Sequence, residues 1–184
     1  MQLQQLIKEA SQGSAAAQKC LFDELSGKLW PICLRYVKSR EDAEEILLDC
    51  FFKVFKNLKD FKFINETAFH GWIKKILINE CLAFLRKKNS FSIVSDSAAE
   101  EMALDEDMLQ GLEREEIYRM ILQLPTGYRT VFNLNIIDGL DHKEIASRLG
   151  INEASSRSQL SKARTLLQKM LLQKGIEYVK QRTK

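Results

Sequence analysis

Proline and glycine are scarce in this sequence, with two and eight among 184 residues, and histidine occurs only twice. So few helix breakers, beside 45% hydrophobic residues, exclude a collagen-like or low-complexity chain and favour a helix-rich globular one. Long apolar runs are missing too. Trp72 to Leu85, the greasiest stretch, is interrupted by Lys74, Lys75 and Glu80, well short of the roughly 20 apolar residues of a membrane span, so no membrane insertion is expected. The amino terminus, MQLQQLIKEAS, lacks the basic start and apolar run of a secretory signal, which makes the cytoplasm the expected compartment.

Cys20, Cys33, Cys50 and Cys81 form no CxxC pair and meet no histidine pair at metal-ligand spacing. Neither a zinc site nor a disulfide framework follows, and free buried thiols are expected. There is no phosphate-binding glycine loop and no HExxH, and His70 and His142 stand alone without a nucleophile nearby in sequence. We therefore expect no catalytic residues, no metal and no cofactor: a binding protein and not an enzyme. His142 is expected as an exposed polar residue.

What is present is an uneven charge. Residues 1–90 hold 15 Lys+Arg against 11 Asp+Glu, residues 91–116 hold 1 against 9, and residues 117–184 hold 12 against 5. Two basic blocks flanking an acidic connector suit a polyanionic partner, because neutralising phosphates releases condensed counterions. Ordinary solvated helical surfaces would give the same tally.

Apolar spacing predicts an all-α chain of two small helical domains, residues 1–90 and 113–184, joined by an acidic flexible linker over 91–112. Helices are expected around Leu3 to Ser11, from Ser14 to Val37 with a bend near Pro31, from Ser39, and from Thr67 to Lys88. In the third, Ala43, Ile46, Leu47, Cys50, Phe51, Val54, Phe55 and Leu58 recur at three- and four-residue steps. Its opposite face mixes Glu41, Glu45 and Asp49 with Leu48 and Phe52, an apolar centre rimmed by acid that fits a protein partner unless the second helix covers Phe52. On the fourth helix Lys75, Asn79, Leu82 and Arg86 make a narrow edge beside Trp72. Phe61 to His70 ahead of it reads as a loop rich in aromatic and amide groups, suited to stacking and reading unpaired bases, although Phe63, Phe69 and Trp72 taken singly suit a core better, and only their place beside the basic edge favours bases.

Beyond the connector, Glu113 to Leu124 is expected as helix, and Pro125 in the first turn of a helix that stops at Gly139. Asp141 and Glu144 then cap a short helix with Ile145, Ala146 and Leu149 on one face. Gly150 ends it and Asn152 caps the next. This is a helix-turn-helix, which sets its second helix in a major groove. Leu160, Ala163, Leu167, Met170 and Leu171 share one side of that second helix. Ser155, Ser158, Ser161, Lys162 and Thr165 share the other, flanked by Arg157 and Arg164. A small, hydroxylated, basic face approaches DNA closely and meets phosphates or a guanine edge.

The run LPTGYRTVFNLNIIDGLDHKEIASRLGINEASSRSQLSKARTLLQKML closely resembles the promoter-reading domain of extracytoplasmic-function sigma factors of the sigma-70 family. REDAEEILLDCFFKVFKNL resembles that family's polymerase-binding helix, and TAFHGWIKKILINECLAFLRKKN its −10 recognition helix. The resemblance implies a sigma factor that binds core RNA polymerase, through the largest subunit's coiled coil and the flap region, and promoter DNA. An anti-sigma factor would be a further partner. It assigns −35 contact to Ser155, Arg157, Ser158, Ser161, Lys162 and Arg164. It assigns −10 contact to Phe63, Asn65, Thr67, Trp72, Lys75, Asn79 and Arg86, and polymerase contact to Asp42, Glu45, Leu48, Asp49 and Phe52. Ser156 departs from the apolar residue usual at its position and is expected to weaken packing there; Gln159 replaces a frequent basic residue. Two other readings stay open: a dimeric helix-turn-helix regulator with a ligand-sensing first domain, and an adaptor whose DNA motif is inert.

Overall fold

A computed structural model describes residues 3–88 and 114–173; the acidic connector expected over 91–112 lies outside the described residues. The chain divides into two units, Met1–Asn89 and Ser90–Lys184, and the described residues of each form helices and turns, with no strand among them.

The first unit holds α1 (Leu3–Ser11), α2 (Ala15–Tyr36), α3 (Arg40–Asn57), a 3-10 turn (Leu58–Asp60) and α4 (Glu66–Lys87). Local chemistry sets the boundaries. Ser14 caps α2 by accepting from the Ala17 amide, and Ser39 caps α3 by accepting from the Asp42 amide. Pro31 sits inside α2, which runs through it. Asn65 caps α4, its Oδ1 accepting from the Ala68 amide at 2.8 Å. The expected loop over Phe61 to His70 therefore shortens to Phe61–Asn65, because this cap starts the helix at Glu66.

α2, α3 and α4 pack against one another, and α1 lies on α2. Every apolar residue expected on the inner stripe of α3 is buried except Phe55, which is half-buried. At the junction the side chains are small: Cys33, Ala43, Cys50 and Cys81 are all fully buried. Cys81 Sγ lies 3.7 Å from Cys33 Sγ, and the Cys33 thiol points at the Ala43 carbonyl, also at 3.7 Å. Thiols pack like small apolar groups, so three helices close tightly here. Burial, with Glu80 and Cys33 nearby, pushes the Cys50 thiol up to about 12. The hydrogen bond to Cys33, then burial, pushes Cys81 well up. Cys20 departs from the expectation of buried thiols: it is exposed on the outer face of α2.

The second unit holds α5 (Arg114–Gln123), α6 (Thr126–Phe132), a π turn (Asn133–Ile137), α7 (His142–Leu149) and α8 (Glu153–Gln173). Pro125 stands just ahead of α6 and not inside its first turn. Gly139, at φ +73°, ends the π turn, and the Leu140 amide reaches back to the Leu134 carbonyl at 2.9 Å. Such a left-handed closure needs glycine. The core combines Met120, Ile121 and Leu124 with Val131, Phe132, Leu134, Ile145, Leu149, Leu160, Ala163, Leu167 and Leu171. Arg129, Thr130 and Asn133 are buried among them. Arg129 Nη1 donates to the Leu124 carbonyl at 2.8 Å, satisfying one of the acceptors that a helix end leaves open.

Thiolate is the reactive form, so burial protects three of the four cysteines. We expect a thiol-specific disulfide reagent to modify Cys20 at once in the native chain, and Cys33, Cys50 and Cys81 only after denaturant unfolds the first unit. Mass spectrometry of the labelled peptides checks this.

Candidate nucleic-acid interface

In the helix-turn-helix, Asp141 Oδ1 accepts from the Glu144 amide at 2.7 Å and so starts α7. The Glu144 carboxylate pairs with Arg148 at 2.6 Å instead of reaching back to the cap. Gly150, at φ +68°, ends the helix, with the Ile151 amide donating to the Ala146 carbonyl. Asn152 Oδ1 accepts from the Ser155 amide at 2.7 Å and starts α8. Three short-range caps thus fix where α7 stops and where α8 begins.

On α8 the outer face is as expected in kind. Arg157 and Ser158 are exposed, and Ser155, Ser161, Lys162, Arg164 and Thr165 are half-buried. Arg157 Nη2 pairs with Glu153 at 2.8 Å, and Thr165 Oγ1 donates to the Ser161 carbonyl. Two expectations are corrected, for Ser156 and for His142. Ser156 is fully buried, and its hydroxyl is hydrogen-bonded to His142 Nδ1 at 2.9 Å, so the polar substitution has a partner. His142 is accordingly half-buried and not exposed, and its imidazole is held below its usual range by burial first, then by Arg157 and Arg164, against the opposing Glu153 and Asp141. Gln159 does not point outward. Its amide oxygen lies 2.8 Å from where a Cβ at Gly127 would stand, so glycine there admits it.

In the first unit the exposed edge of α4 runs through Thr67, Gly71, Lys75, Asn79, Ala83 and Arg86, at four- and three-residue steps. Leu82, expected on this edge, is 2% exposed and belongs to the core; the helical rotation that buries Ile78 carries it inward, and Ala83 takes its place outside. Trp72 is half-buried in an aromatic cluster, with its ring 4.6 Å from Phe61 and 6.1 Å from Phe69. Phe69 is fully buried, Phe63 is half-buried, and Asn65 and Thr67 are exposed. Asn65 spends its side-chain oxygen on the α4 cap. Ile64, between Phe63 and Asn65, is 77% exposed. Sequence reasoning passed over it because an isoleucine in an aromatic-rich stretch reads as core; its place two residues ahead of Glu66, in the short connection before a capped helix, was the available signal.

On α3, Leu48 and Phe52 are 61% and 68% exposed, and Glu45 and Asp49 flank them in the open. No part of α2 covers Phe52. Asp42 stands apart from this face, because both its carboxylate oxygens accept from Lys88 Nζ, at 2.8 and 2.9 Å, tying the start of α3 to the end of α4. Lys53 and Glu80 bridge the same two helices at 2.7 Å. Among the described residues no group of three or more histidine, cysteine or carboxylate side chains could hold a metal ion, and no helix is long and apolar enough to cross a membrane.

Comparison with known proteins places these elements. Residues 21–91 match the family model Sigma-70 region 2, and residues 114–167 match Sigma-70, region 4. The RNA polymerase sigma-H factor of Pseudomonas aeruginosa is 26% identical, over 91% of this chain and 93% of its own length. The ECF RNA polymerase sigma factor SigW of Bacillus subtilis is 28% identical, over 93% and 97%. The ECF RNA polymerase sigma-E factor of Escherichia coli is 26% identical, over 88% and 90%. A solved structure of CnrH in complex with the cytosolic domain of CnrY is similar at 21% identity and a TM-score of 0.48, over 91% of this chain and 96% of that one.

Gly150 faces open space, so only its backbone conformation matters. Gly150→Ala is expected to cost about 1–2 kcal/mol, the penalty of a side chain in the left-handed region. Hydrogen exchange of the α7 and α8 amides, read in native conditions, checks this.

Proposed function

Given that this chain belongs to the sigma-70 family, as an extracytoplasmic-function sigma factor that directs promoter-specific transcription initiation, we propose which of its surfaces do the work. The observation that carries the reading is the exposed pair Leu48 and Phe52 between Glu45 and Asp49. A helix-turn-helix is common to many regulators, whereas large apolar side chains held in water by a capped, well-packed helix need a protein partner. That partner is core polymerase, met through the coiled coil of its largest subunit, while the second unit meets the flap region. Asp42 contributes indirectly, its ion pair with Lys88 tying the start of α3 to the end of α4 and so holding the α3 face in place.

For DNA, the α8 face of Ser155, Arg157, Ser158, Ser161, Lys162 and Arg164 reads the −35 duplex, with Arg157, Lys162 and Arg164 on phosphates or base edges. The residues Phe63, Asn65, Thr67, Trp72, Lys75, Asn79 and Arg86 serve the −10 element. The α4 edge follows the backbone, and the Phe61–Asn65 connection, with Ile64 added to the set, offers an apolar surface to an unstacked base. Domain 1–90 thus binds polymerase and the −10 element, 91–112 is the acidic tether, and 113–184 reads the −35 element. The protein binds and positions without catalytic chemistry of its own, works in the cytoplasm, and is open to control by an anti-sigma factor.

Two variants test the two surfaces. Phe52→Ala is expected to weaken binding to core polymerase by at least about 1 kcal/mol, as centrally placed aromatics do, with thermal unfolding unchanged. Lys162→Ala is expected to leave core binding intact and weaken −35-dependent initiation, lowering the salt dependence of duplex binding by about one unit of slope. Start sites mapped genome-wide with the chain and core polymerase give the decisive readout. Duplex binding by the free chain with no new starts would instead indicate a conventional regulator.

A further inference from the structure

The α7–α8 junction carries a polar bridge where an apolar contact would close the motif. Ser156 is fully buried on the inner side of α8, and its hydroxyl meets His142 Nδ1 at 2.9 Å across the turn. An unpartnered buried hydroxyl is costly, so the imidazole and the hydroxyl hold α7 and α8 in register. A hydroxyl both donates and accepts. It donates to Nδ1 of a neutral imidazole and accepts from Nδ1–H of a charged one, so the bridge outlasts a change of protonation.

The charged groups that bear on the imidazole are Arg157, Arg164 and Glu153 from α8 and Asp141 from the turn ahead of α7. Arg157 and Arg164 are also two of the three cations on the outward α8 face. We propose that His142 and Ser156 form a positioning pair that couples −35 duplex binding to one proton, His142 taking up that proton as promoter phosphates cover Arg157 and Arg164. The inference rests on the reading of α8 as the −35 reader.

In the free chain burial first, and then the two guanidiniums, hold the imidazole below its usual range. Phosphates laid on those guanidiniums cancel their repulsion, so the imidazole titrates at higher pH in the complex than in the free chain. Between the two values the complex holds more protons, and affinity rises as pH falls through that window. The window opens near or below the ordinary histidine range and extends upward by however much the phosphates relieve.

The test uses holoenzyme assembled from the full chain and core polymerase. Affinity is measured for promoter duplexes with the −35 element intact or scrambled, and the ratio of the two is compared at about pH 8 and about pH 6, on either side of the histidine range. In the native protein the ratio is expected to rise about threefold to tenfold on acidification, the most that one coupled proton gives per unit of pKa change being tenfold. His142→Gln keeps a hydrogen-bonding group toward Ser156 and removes the titration. It should keep the ratio found at the higher pH and lose the rise. Ser156→Ala should lower the ratio at both pH values, with secondary structure by circular dichroism unchanged. A His142→Gln holoenzyme whose ratio still rises as in the native protein would overturn the inference. A native ratio of about one at both pH values would overturn the −35 reading beneath it, which is a separate outcome visible before any variant is made.

Discussion

Burial of one apolar stripe per helix is the constraint on which every other feature depends. In the first unit α4 is enclosed by α2 and α3 through Phe69, Ile73, Leu77, Ile78, Cys81, Leu82 and Leu85. What remains outside is a single line from Thr67 to Arg86. The enclosure is tight because Cys33, Ala43, Cys50 and Cys81 are small where the three helices meet. A helix so deeply packed is a rigid support, and side chains on its one open edge are held in fixed relation to the Phe61–Asn65 connection ahead of it. The same packing turns Leu48 and Phe52 outward on α3, since the inner stripe of that helix is already filled.

The second unit is built differently. Its interior contains Arg129, Thr130, Asn133 and Ser156 among the apolar residues, and one of the resulting hydrogen bonds joins the two helices of the DNA motif. Arg129 closes the end of α5 through the Leu124 carbonyl, and Ser156 joins α8 to α7 through His142. Satisfied buried polar pairs add geometric specificity, because a hydrogen bond tolerates less displacement than an apolar contact. A recognition helix needs that specificity more than it needs additional stability, since its contacts with base edges depend on small displacements.

Much of this was legible in the sequence, for a local reason. Ser14, Ser39, Asp141, Gly150 and Asn152 act through neighbours three or four residues away, so their caps and the helix boundaries they impose can be read without knowing the fold. The stripe of α3 and that of α8 follow from helical period alone. The candidate faces on α3 and α8 were legible as the complements of those stripes. Where period was the weaker guide, on a helix apolar nearly all round, the reading slipped by one position and put Leu82 outside in place of Ala83. The fourth helix, expected from Thr67, begins one residue earlier at Glu66, because the Asn65 side chain caps it.

An all-α chain, the helix-turn-helix, an acidic stretch between two basic blocks, and the family can all be read from the sequence. Local hydrogen bonding, helical periodicity and motif order suffice for these. Only the tertiary structure decided that Asp42 is held by Lys88, 46 residues away, that Ser156 has a partner in His142, that Gln159 turns toward Gly127, and that Ile64 and Phe52 stand in water while Cys20 does too. Each of these depends on which helices meet and at what rotation. A side chain's burial and partners are properties of the assembled surface, which no short stretch of sequence contains.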